Sequence, residues 1–231
     1  MLTVVPTPIG NLGDITLRAL EALKSCDLVA AEDTRHSGLL LKHHGISKPF
    51  VSLHEHNEAS RSAELIGRML TGLSVALVTD AGTPGISDPG TRFVRESRRA
   101  GVPVTVIPGA CAAITALVAS GFDSSEFYFG GFLPNKSGGR ERELRAALVR
   151  PHTSIFYESP HRIVKTLAAL AELDATRAVC VARELTKHFE EVPVGTAPEL
   201  LARFTAKAPK GEICLLVSGA ESRKGHPQAD T

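Results

Sequence analysis

Short apolar runs alternate with amphipathic stretches from the start of the chain. Five runs are apolar and rich in β-branched residues, as buried strands are, and they lie at 2–6, 27–31, 50–54, 74–80 and 103–108. The stretches between them predict helices at 16–24, 37–44, 58–70, 91–100 and 110–120. In the third helix, Ala59, Ala63, Ile66 and Leu70 recur at steps of three and four and predict its buried face. Five strands alternating with helices indicate a mainly parallel sheet covered on both faces.

A second pattern of the same kind begins near Phe127. Strands are predicted at 127–132, 154–157, 178–182, 189–195 and 212–218, and helices at 140–149, 162–173 and 198–204. The segment PNKSGG at 134–139 is polar and predicts a flexible break. We therefore expect an α/β fold with an N-terminal domain at 1–121, a C-terminal domain at 122–219 and a flexible tail at 220–231.

Composition narrows the class of protein. The chain has 231 residues, of which 43% are hydrophobic and 22% charged, an ordinary composition for a soluble globular protein of one large or two small domains. Its apolar runs are shorter than the roughly 18 residues of a membrane span. Residues 1–9 lack a basic start and contain Pro6 and Pro8, so we do not expect a signal peptide.

The spacing of the cysteines indicates their redox state, and the net charge restricts the kind of surface the protein can have. The four cysteines lie far apart in apolar or small-residue surroundings, which predicts reduced, buried thiols in a cytosolic protein; they are Cys26, Cys111, Cys180 and Cys214. The net charge of +1 excludes a uniformly basic surface but not a local basic patch.

Loops rich in glycine and proline follow the first, fourth and fifth strands, at 6–14, 80–90 and 108–113. Ligands of parallel sheets bind beyond the carboxyl ends of the strands, and glycine lets the backbone come close to them. Each loop alone is explained by ordinary turn chemistry; three together favour a ligand site. Neither a P-loop nor a dinucleotide fingerprint is present, so a small polar ligand is expected. Asp80 could accept from a ribose hydroxyl or an ammonium group, or cap its own turn.

Eight segments occur in order over 2–219, among them AEDTRH, HEHNE, DAGTPGISDPG and ARELTKHFEE. This series closely resembles the tetrapyrrole methylase superfamily, and within it the branch that methylates the 2′-oxygen of a decoding-centre cytidine in bacterial 16S ribosomal RNA. The resemblance implies two α/β domains of the tetrapyrrole methylase type, with a mainly parallel sheet in the first and a mixed sheet in the second. It also implies S-adenosyl-L-methionine in the cleft between them, and a cytoplasmic homodimer that acts on 16S ribosomal RNA within the small ribosomal subunit.

The resemblance assigns cofactor-binding residues in both domains. In the first domain they are Pro8, Ile9, Gly10, Asp80, Gly82, Thr83, Cys111 and Ala112. In the second they are Tyr157, Glu158, Ala182, Arg183, Gly211 and Glu212. Backbone groups can bind an adenine edge, and a carboxylate can bind a ribose or an amino group. For Glu158 and Glu212 the alternative is surface solvation.

A ribose 2′-hydroxyl must lose its proton during methylation. The candidates for a base or orienting group are Asp33, His54, Glu55, His56 and Asp88, and histidine is the usual choice because its pKa of about 6.5 lies near working pH. His54 and His56 alternate along a segment expected to be extended, so only one of them can face a given side. A metal site at His54 and His56 would lack both helical ligand spacing and a clear third ligand, and we expect no metal. A base is dispensable if the local field lowers the pKa of the hydroxyl.

RNA binding requires positive charge near the site. The candidates are Arg18, Arg35 and His36, expected in or near loops of the first domain, and Lys136, Arg140 and Arg142 after the PNKSGG segment. Aromatic residues make up 5% of the chain and tryptophan is absent, so we do not expect base stacking on an aromatic platform.

Two alternatives remain: a methylase of a small macrocyclic tetrapyrrole, or a non-catalytic ribosome-binding module of the same fold. The first loop lacks the G-x-G-P-G of the tetrapyrrole-acting relatives, which weakens the first alternative. Longer relatives carry a further C-terminal segment, so we expect RNA affinity to depend more on the dimer or on the assembled subunit.

Overall fold

The computed structural model describes residues 1–220, so the predicted tail lies outside the described residues except for Ala220. The chain divides into two compact units, one at Met1–Ala112 and one from Ala113 onward. The sequence analysis placed the division at 121/122, and the difference corresponds to one helix, α5.

The elements follow the predicted order. The strands are β1 (Leu2–Val4), β2 (Leu28–Ala31), β3 (Phe50–Ser52), β4 (Val75–Val78), β5 (Val104–Val106), β6 (Phe127–Phe132), β7 (Thr153–Glu158), β8 (Ala178–Arg183), β9 (Val194–Thr196) and β10 (Ile213–Val217). The helices are α1 (Leu17–Ser25), α2 (Thr34–His43), α3 (Glu58–Leu70), α4 (Thr91–Arg99), α5 (Ala112–Ser120), α6 (Ser137–Val149), α7 (Ile163–Leu173) and α8 (Ala197–Ala206), and one 3₁₀ turn spans Leu12–Asp14.

The first unit is built on a five-stranded sheet of order β3-β2-β4-β1-β5, in which every pairing is parallel, as predicted. One face packs on α1 and α2 through Leu23 and Leu41, and the other packs on α3 and α4 through Leu65 and Phe93. The chain leaves β2 towards one edge of the sheet and leaves β4 towards the other. Their carboxyl ends therefore flank a topological switch point, where α/β sheets bind ligands.

The predicted buried face of α3 is wrong except for Ile66, which is half-buried and packs against the core. Ala59 and Ala63 are exposed and Leu70 is 60% exposed, while Ser62, Leu65 and Met69 are buried. The long side chains of Leu65 and Met69 bury more apolar area than two alanines, and this decides which side of the helix faces the sheet.

The second unit contains a mixed sheet of order β6-β7-β10-β8-β9, which confirms the expected mixed character. Only the β6–β7 pairing is parallel; the other three are antiparallel. Leu144 of α6, Phe156 of β7, Leu167 of α7 and Leu200 of α8 share one core.

Two predicted boundaries in this unit are wrong. Helix α6 begins at Ser137, inside the expected break, because its first turn tolerates Gly138 and Gly139 and strong helix formers follow them. The strand expected at 189–195 shortens to β9, and Glu191 forms only an isolated bridge with Arg183.

All four cysteines are thiols, and Cys26, Cys180 and Cys214 are buried as predicted, whereas Cys111 is half-buried. Burial raises the pKa of Cys180 to about 12, so this thiol stays protonated.

Candidate functional site

The three glycine- and proline-rich loops of the first unit meet. Thr7 and Gly82 exchange two backbone hydrogen bonds, Thr7 N to Gly82 O at 2.9 Å and Gly82 N to Thr7 O at 3.1 Å. The Thr83 hydroxyl donates to the carbonyl of Ala110 at 2.9 Å. The loops after β1, β4 and β5 are thus joined at the carboxyl edge of the sheet.

Close backbone approach at this junction requires glycine. A Cβ on Gly109 would lie 2.5 Å from the Cβ of Pro6, a separation that atoms do not tolerate. Gly82 has φ +86°, and a Cβ there would lie 3.4 Å from Ile9. Pro8, Ile9 and Gly82 are buried, whereas Gly10 is exposed, so the backbone rather than side chains forms much of this surface.

Carboxylates surround the switch point between β2 and β4. Glu32 follows β2, and its Oε2 accepts a hydrogen bond from the buried Thr79 hydroxyl at 3.2 Å. Oδ1 of Asp80 accepts from the backbone N–H of Asp33, also at 3.2 Å. Asp88, later in the same loop, forms a hydrogen bond with Thr79 and interacts electrostatically with Glu32 and Asp80. Three carboxylates therefore lie around one buried threonine.

Crowding and burial change the proton affinity of this cluster. Burial raises the pKa of Asp88 to about 6, with the charges of Glu32 and Asp80 adding to the rise and the Thr79 hydrogen bond opposing it. Burial, followed by the charge of Asp80, also raises the pKa of Glu32. Asp88 can therefore take up and release a proton close to neutral pH.

Asp33 has a different role from the one considered for it. Its carboxylate caps α2, accepting from the Arg35 backbone N–H at 2.8 Å and from the Arg35 guanidinium at 2.9 and 3.2 Å. These contacts lower its pKa to about 2, which makes it a poor proton acceptor. Arg35 and His36 lie on the first turn of α2 and Arg18 lies on the first turn of α1, next to the loops where they were expected.

The segment that carries His54 and His56 is a turn, not the extended segment expected. The side chain of Asn57 accepts from the backbone N–H of His54 at 2.9 Å, and the two imidazole rings lie edge to face with centroids 6.0 Å apart. His56 is exposed. His54 interacts electrostatically with Glu32, and its buried Nδ1 has no hydrogen-bond partner within residues 1–220.

In the second unit, Glu158 is fully buried rather than solvated. Its carboxylate accepts from Ser159 N at 2.7 Å and from the Thr166 hydroxyl at 2.7 Å, and it pairs with Arg162 at 2.6 Å. These contacts lie within the unit and occupy both carboxylate oxygens. The alternative of surface solvation is therefore wrong for Glu158, and its role in cofactor binding stays a prediction.

Ion pairs tie together the loop after β8. Arg183 pairs with Glu191 at 2.7 Å and donates to the carbonyl of Lys210 at 2.8 Å. Lys187 pairs with Glu212 at 2.8 Å and with Glu184 at 2.9 Å. Arg183 and Glu212, both expected at the cofactor, are thus fixed on one network, next to Gly211 with φ +85° and the buried Ala182.

Aromatic rings gather at the carboxyl ends of β6 and β7. Tyr157 lies edge to face with Phe129, at 5.1 Å between centroids, and with Phe132, at 5.4 Å. Phe132 is 60% exposed. Lys136, Arg140 and Arg142 follow at the start of α6, and Lys136 and Arg142 are exposed.

Sequence reasoning missed Glu32, Thr79 and Phe132. Glu32 and Thr79 each follow directly on a buried strand, at adjacent carboxyl ends, and that position was the available signal. No helix within residues 1–220 is long and apolar enough to cross a membrane. Within the same residues, no three His, Cys, Asp or Glu side chains are placed so that they could hold a metal ion together.

A parallel sheet with a loop-built site at its carboxyl edge, followed by a mixed sheet, is the architecture of a known class of methyltransferases. Residues 1–201 match the family model "Tetrapyrrole (Corrin/Porphyrin) Methylases", and the chain belongs to this family. Two solved structures share the fold: uroporphyrin-III-C-methyltransferase from Thermus thermophilus (TM-score 0.65, 22% identity, covering 94% of this chain and 93% of that one) and diphthine synthase (TM-score 0.71, 20% identity, covering 94% and 89%).

Much more similar in sequence are proteins named ribosomal RNA small subunit methyltransferase I. The one from Escherichia coli O157:H7 is 49% identical over 99% of this chain and 81% of its own length. The one from Bacillus subtilis is 45% identical over 97% of this chain and 77% of its own.

Proposed function

We propose that the protein transfers a methyl group from S-adenosyl-L-methionine to the ribose 2′-oxygen of a cytidine in 16S ribosomal RNA. The observation that carries this proposal is the 49% identity with the Escherichia coli ribosomal RNA methyltransferase over 99% of the chain. Structural neighbours that act on other substrates are at most 22% identical among those compared above, and they support the fold alone.

The residues of the first unit suit this donor. Its sulfonium and ammonium groups are positive, and Glu32, Asp80 and Asp88 provide negative charge at the carboxyl edge of the sheet. The exposed backbone at Gly10 and the joined loops at Thr83 and 111–112 offer further polar contacts. When bound, S-adenosyl-L-methionine supplies an activated methyl carbon, to which a C–O bond forms as the C–S bond breaks and its electron pair stays on sulfur.

Asp88 is the base that we propose for the 2′-hydroxyl. Its carboxylate takes the hydroxyl proton, and its raised pKa of about 6 lets it do so while still being ionised at neutral pH. Burial is the main cause of that raised pKa, and the charges of Glu32 and Asp80 add to it. The contacts of Asp33 with Arg35 and the exposure of His56 make these two weaker candidates, and His54 would act as a positioning residue through Glu32.

The donor site has a direct binding test. We expect Asp80→Ala and Thr83→Ala each to weaken the binding of S-adenosyl-L-methionine in calorimetry, whereas Asp14→Ala, an exposed carboxylate in the loop after β1, serves as the matched control. Unchanged affinity in the first two variants would place the donor elsewhere. The contacts assigned to Tyr157, Glu158, Ala182, Arg183, Gly211 and Glu212 remain a prediction of the resemblance.

The reaction itself is tested with tritiated S-adenosyl-L-methionine and three acceptors: purified small ribosomal subunits, naked 16S ribosomal RNA and a tetrapyrrole precursor. We expect label on the RNA of the subunits, at a cytidine whose 2′-O-methylation mass spectrometry of nuclease digests identifies. Label on the tetrapyrrole alone would support a macrocycle methylase. No transfer to any acceptor would support a ribosome-binding module.

We also propose a cytoplasmic homodimer. The proposal is supported by four thiols without a disulfide and by α5, a mainly apolar helix that leaves Ile114 45% and Val118 73% exposed. Light scattering after gel filtration should give twice the 24.5 kDa chain mass, and a monomer at micromolar concentration would contradict it.

A further inference from the structure

An aromatic ring is exposed at the end of the edge strand β6. Phe132 pairs with Tyr157 after a register shift between Phe129 and Phe132, and Gly131 within this shift has φ +65°. Bulges of this kind redirect a side chain, and they recur next to functional sites. The ring of Phe132 contacts Tyr157, which in turn contacts Phe129. These two ring contacts hold the exposed ring in position.

The loop that follows this ring is held in place. The backbone N–H of Leu133 donates to the carbonyl of Tyr157 at 3.1 Å. The guanidinium of Arg162 donates to the carbonyl of Leu133 at 3.2 Å and to the side chain of Asn135. Because Arg162 also pairs with the buried Glu158, this loop is anchored to the interior of the unit.

Positive charge lies beside the ring and has no counter-charge. On α6, Glu141 pairs with Arg145 at 2.7 Å and Glu143 with Arg150 at 3.6 Å. Within residues 1–220, no carboxylate lies within 4.0 Å of the charged groups of Lys136, Arg140 or Arg142. The start of α6 is therefore cationic, and Arg140 connects it to the loop that follows the exposed ring by donating to the carbonyl of Asn135 at 3.4 Å.

We propose that Phe132 is the stacking platform for an unpaired base of the RNA substrate, with Lys136, Arg140 and Arg142 binding the adjacent phosphates. A stacking ring with flanking cations is how proteins hold single-stranded nucleic acid. The proposal rests on the proposed function for its choice of RNA. It also revises the sequence expectation, because a low aromatic content says nothing about where one ring lies.

The absence of tryptophan from the chain provides a direct probe. In Phe132→Trp, the single indole should lose fluorescence when a single-stranded octacytidylate binds, since stacking on a base quenches it. Phe127→Trp is the matched control, because Phe127 begins the same strand and is 42% exposed, and its emission should not change. Quenching of the indole at 132 by S-adenosylhomocysteine without RNA would overturn the proposal, because the ring would then bind the adenosine of the donor product.

Affinity measurements separate stacking from charge. Phe132→Ala should weaken octacytidylate binding by about 5- to 150-fold, the range seen when stacking aromatics are replaced by alanine, whereas Phe132→Tyr should stay within about twofold of the wild type. Neither change should affect binding of inorganic polyphosphate, which carries charge without bases. Equal octacytidylate affinity in the wild type and in Phe132→Ala would overturn the proposal.

Methyl transfer is measured separately on small ribosomal subunits. Failure of the wild type to methylate them would contradict the proposed function and leave the quenching result intact. Methylation by the wild type together with an unquenched indole at 132 would overturn the stacking proposal alone.

Discussion

Replacing Asp88 with asparagine tests the acidic cluster through two opposite effects. Asparagine keeps the shape of the side chain but neither ionises nor accepts a proton. A carboxyl group whose pKa is 3.8 in the unfolded chain and about 6 in the folded protein opposes folding by about 3 kcal/mol once it is ionised in both states. Because Asp88 is partly exposed, we expect solvent screening to reduce this to about 1–2 kcal/mol.

The sign of the pH dependence follows from the raised pKa. Between about pH 4 and pH 6 the folded protein holds a proton at Asp88 that the unfolded chain has released, so wild-type stability falls as pH rises through this window. Asp88→Asn lacks that fall. The variant should match the wild type near pH 4 and exceed it by about 1–2 kcal/mol at pH 7.5, measured by urea unfolding at both pH values.

Although Asp88→Asn should be more stable than the wild type, its methyl-transfer activity should be lower. Loss of a general base lowers kcat by about 10²- to 10⁴-fold, and the rise of the wild-type rate near pH 6 should disappear in the variant. The assay is methyl transfer to small ribosomal subunits between pH 5 and 8, with Asp14→Asn as the control for loss of an exposed carboxylate. A variant that keeps the wild-type rate, or that is less stable at pH 7.5, would refute the assignment of Asp88.

Three further predictions address other parts of the two units. Arg162→Met leaves the buried Glu158 carboxylate without its ion pair and should cost about 3–5 kcal/mol in urea unfolding, and a loss below 1 kcal/mol would contradict the burial argument. Gly109→Ala places a Cβ 2.5 Å from Pro6 and should cost about 1–3 kcal/mol and weaken donor binding in calorimetry; unchanged values would show that the loops can separate. Arg35→Ala should reduce the salt dependence of subunit binding by about 0.7–0.9 in slope, and an identical slope would remove Arg35 from the RNA contacts.

The sequence predicted the order and type of the elements because strands in a sheet covered on both faces are nearly continuous apolar runs. β4, for example, is VALV between polar residues, and all four residues are buried. The helix face of α3 could not be read in the same way. Ala59 and Ala63 fit the helical period as well as Leu65 and Met69 do, and the period alone does not show that the larger apolar area of Leu65 and Met69 packs on the sheet.

The location of the candidate site could be predicted from the sequence, but the protonation behaviour of its carboxylates could not. Parallel strands bring their carboxyl ends to one edge, so the loops at 6–14, 80–90 and 108–113 had to come near one another. Which carboxylate would have a raised pKa depends on burial and on neighbours distant in the chain. Glu32 and Asp88 are 56 residues apart, and no local pattern connects them. Asp33 and Asp88 look alike in the sequence, but the Arg35 guanidinium, followed by the helix cap, lowers the pKa of Asp33, and burial raises the pKa of Asp88.

The position of β1 inside its sheet has a consequence for biosynthesis. Leu2 pairs with Val75 on one side and with Val104 on the other, so both partners of β1 are translated long after it. At a translation rate of about 5–20 residues per second, roughly 5–20 s pass between the synthesis of β1 and that of its second partner, β5. During that interval Leu2 and Val4, which are at most 2% exposed in the folded chain, are open to chaperones and to mispairing. The first unit cannot complete its sheet until Val106 has been translated.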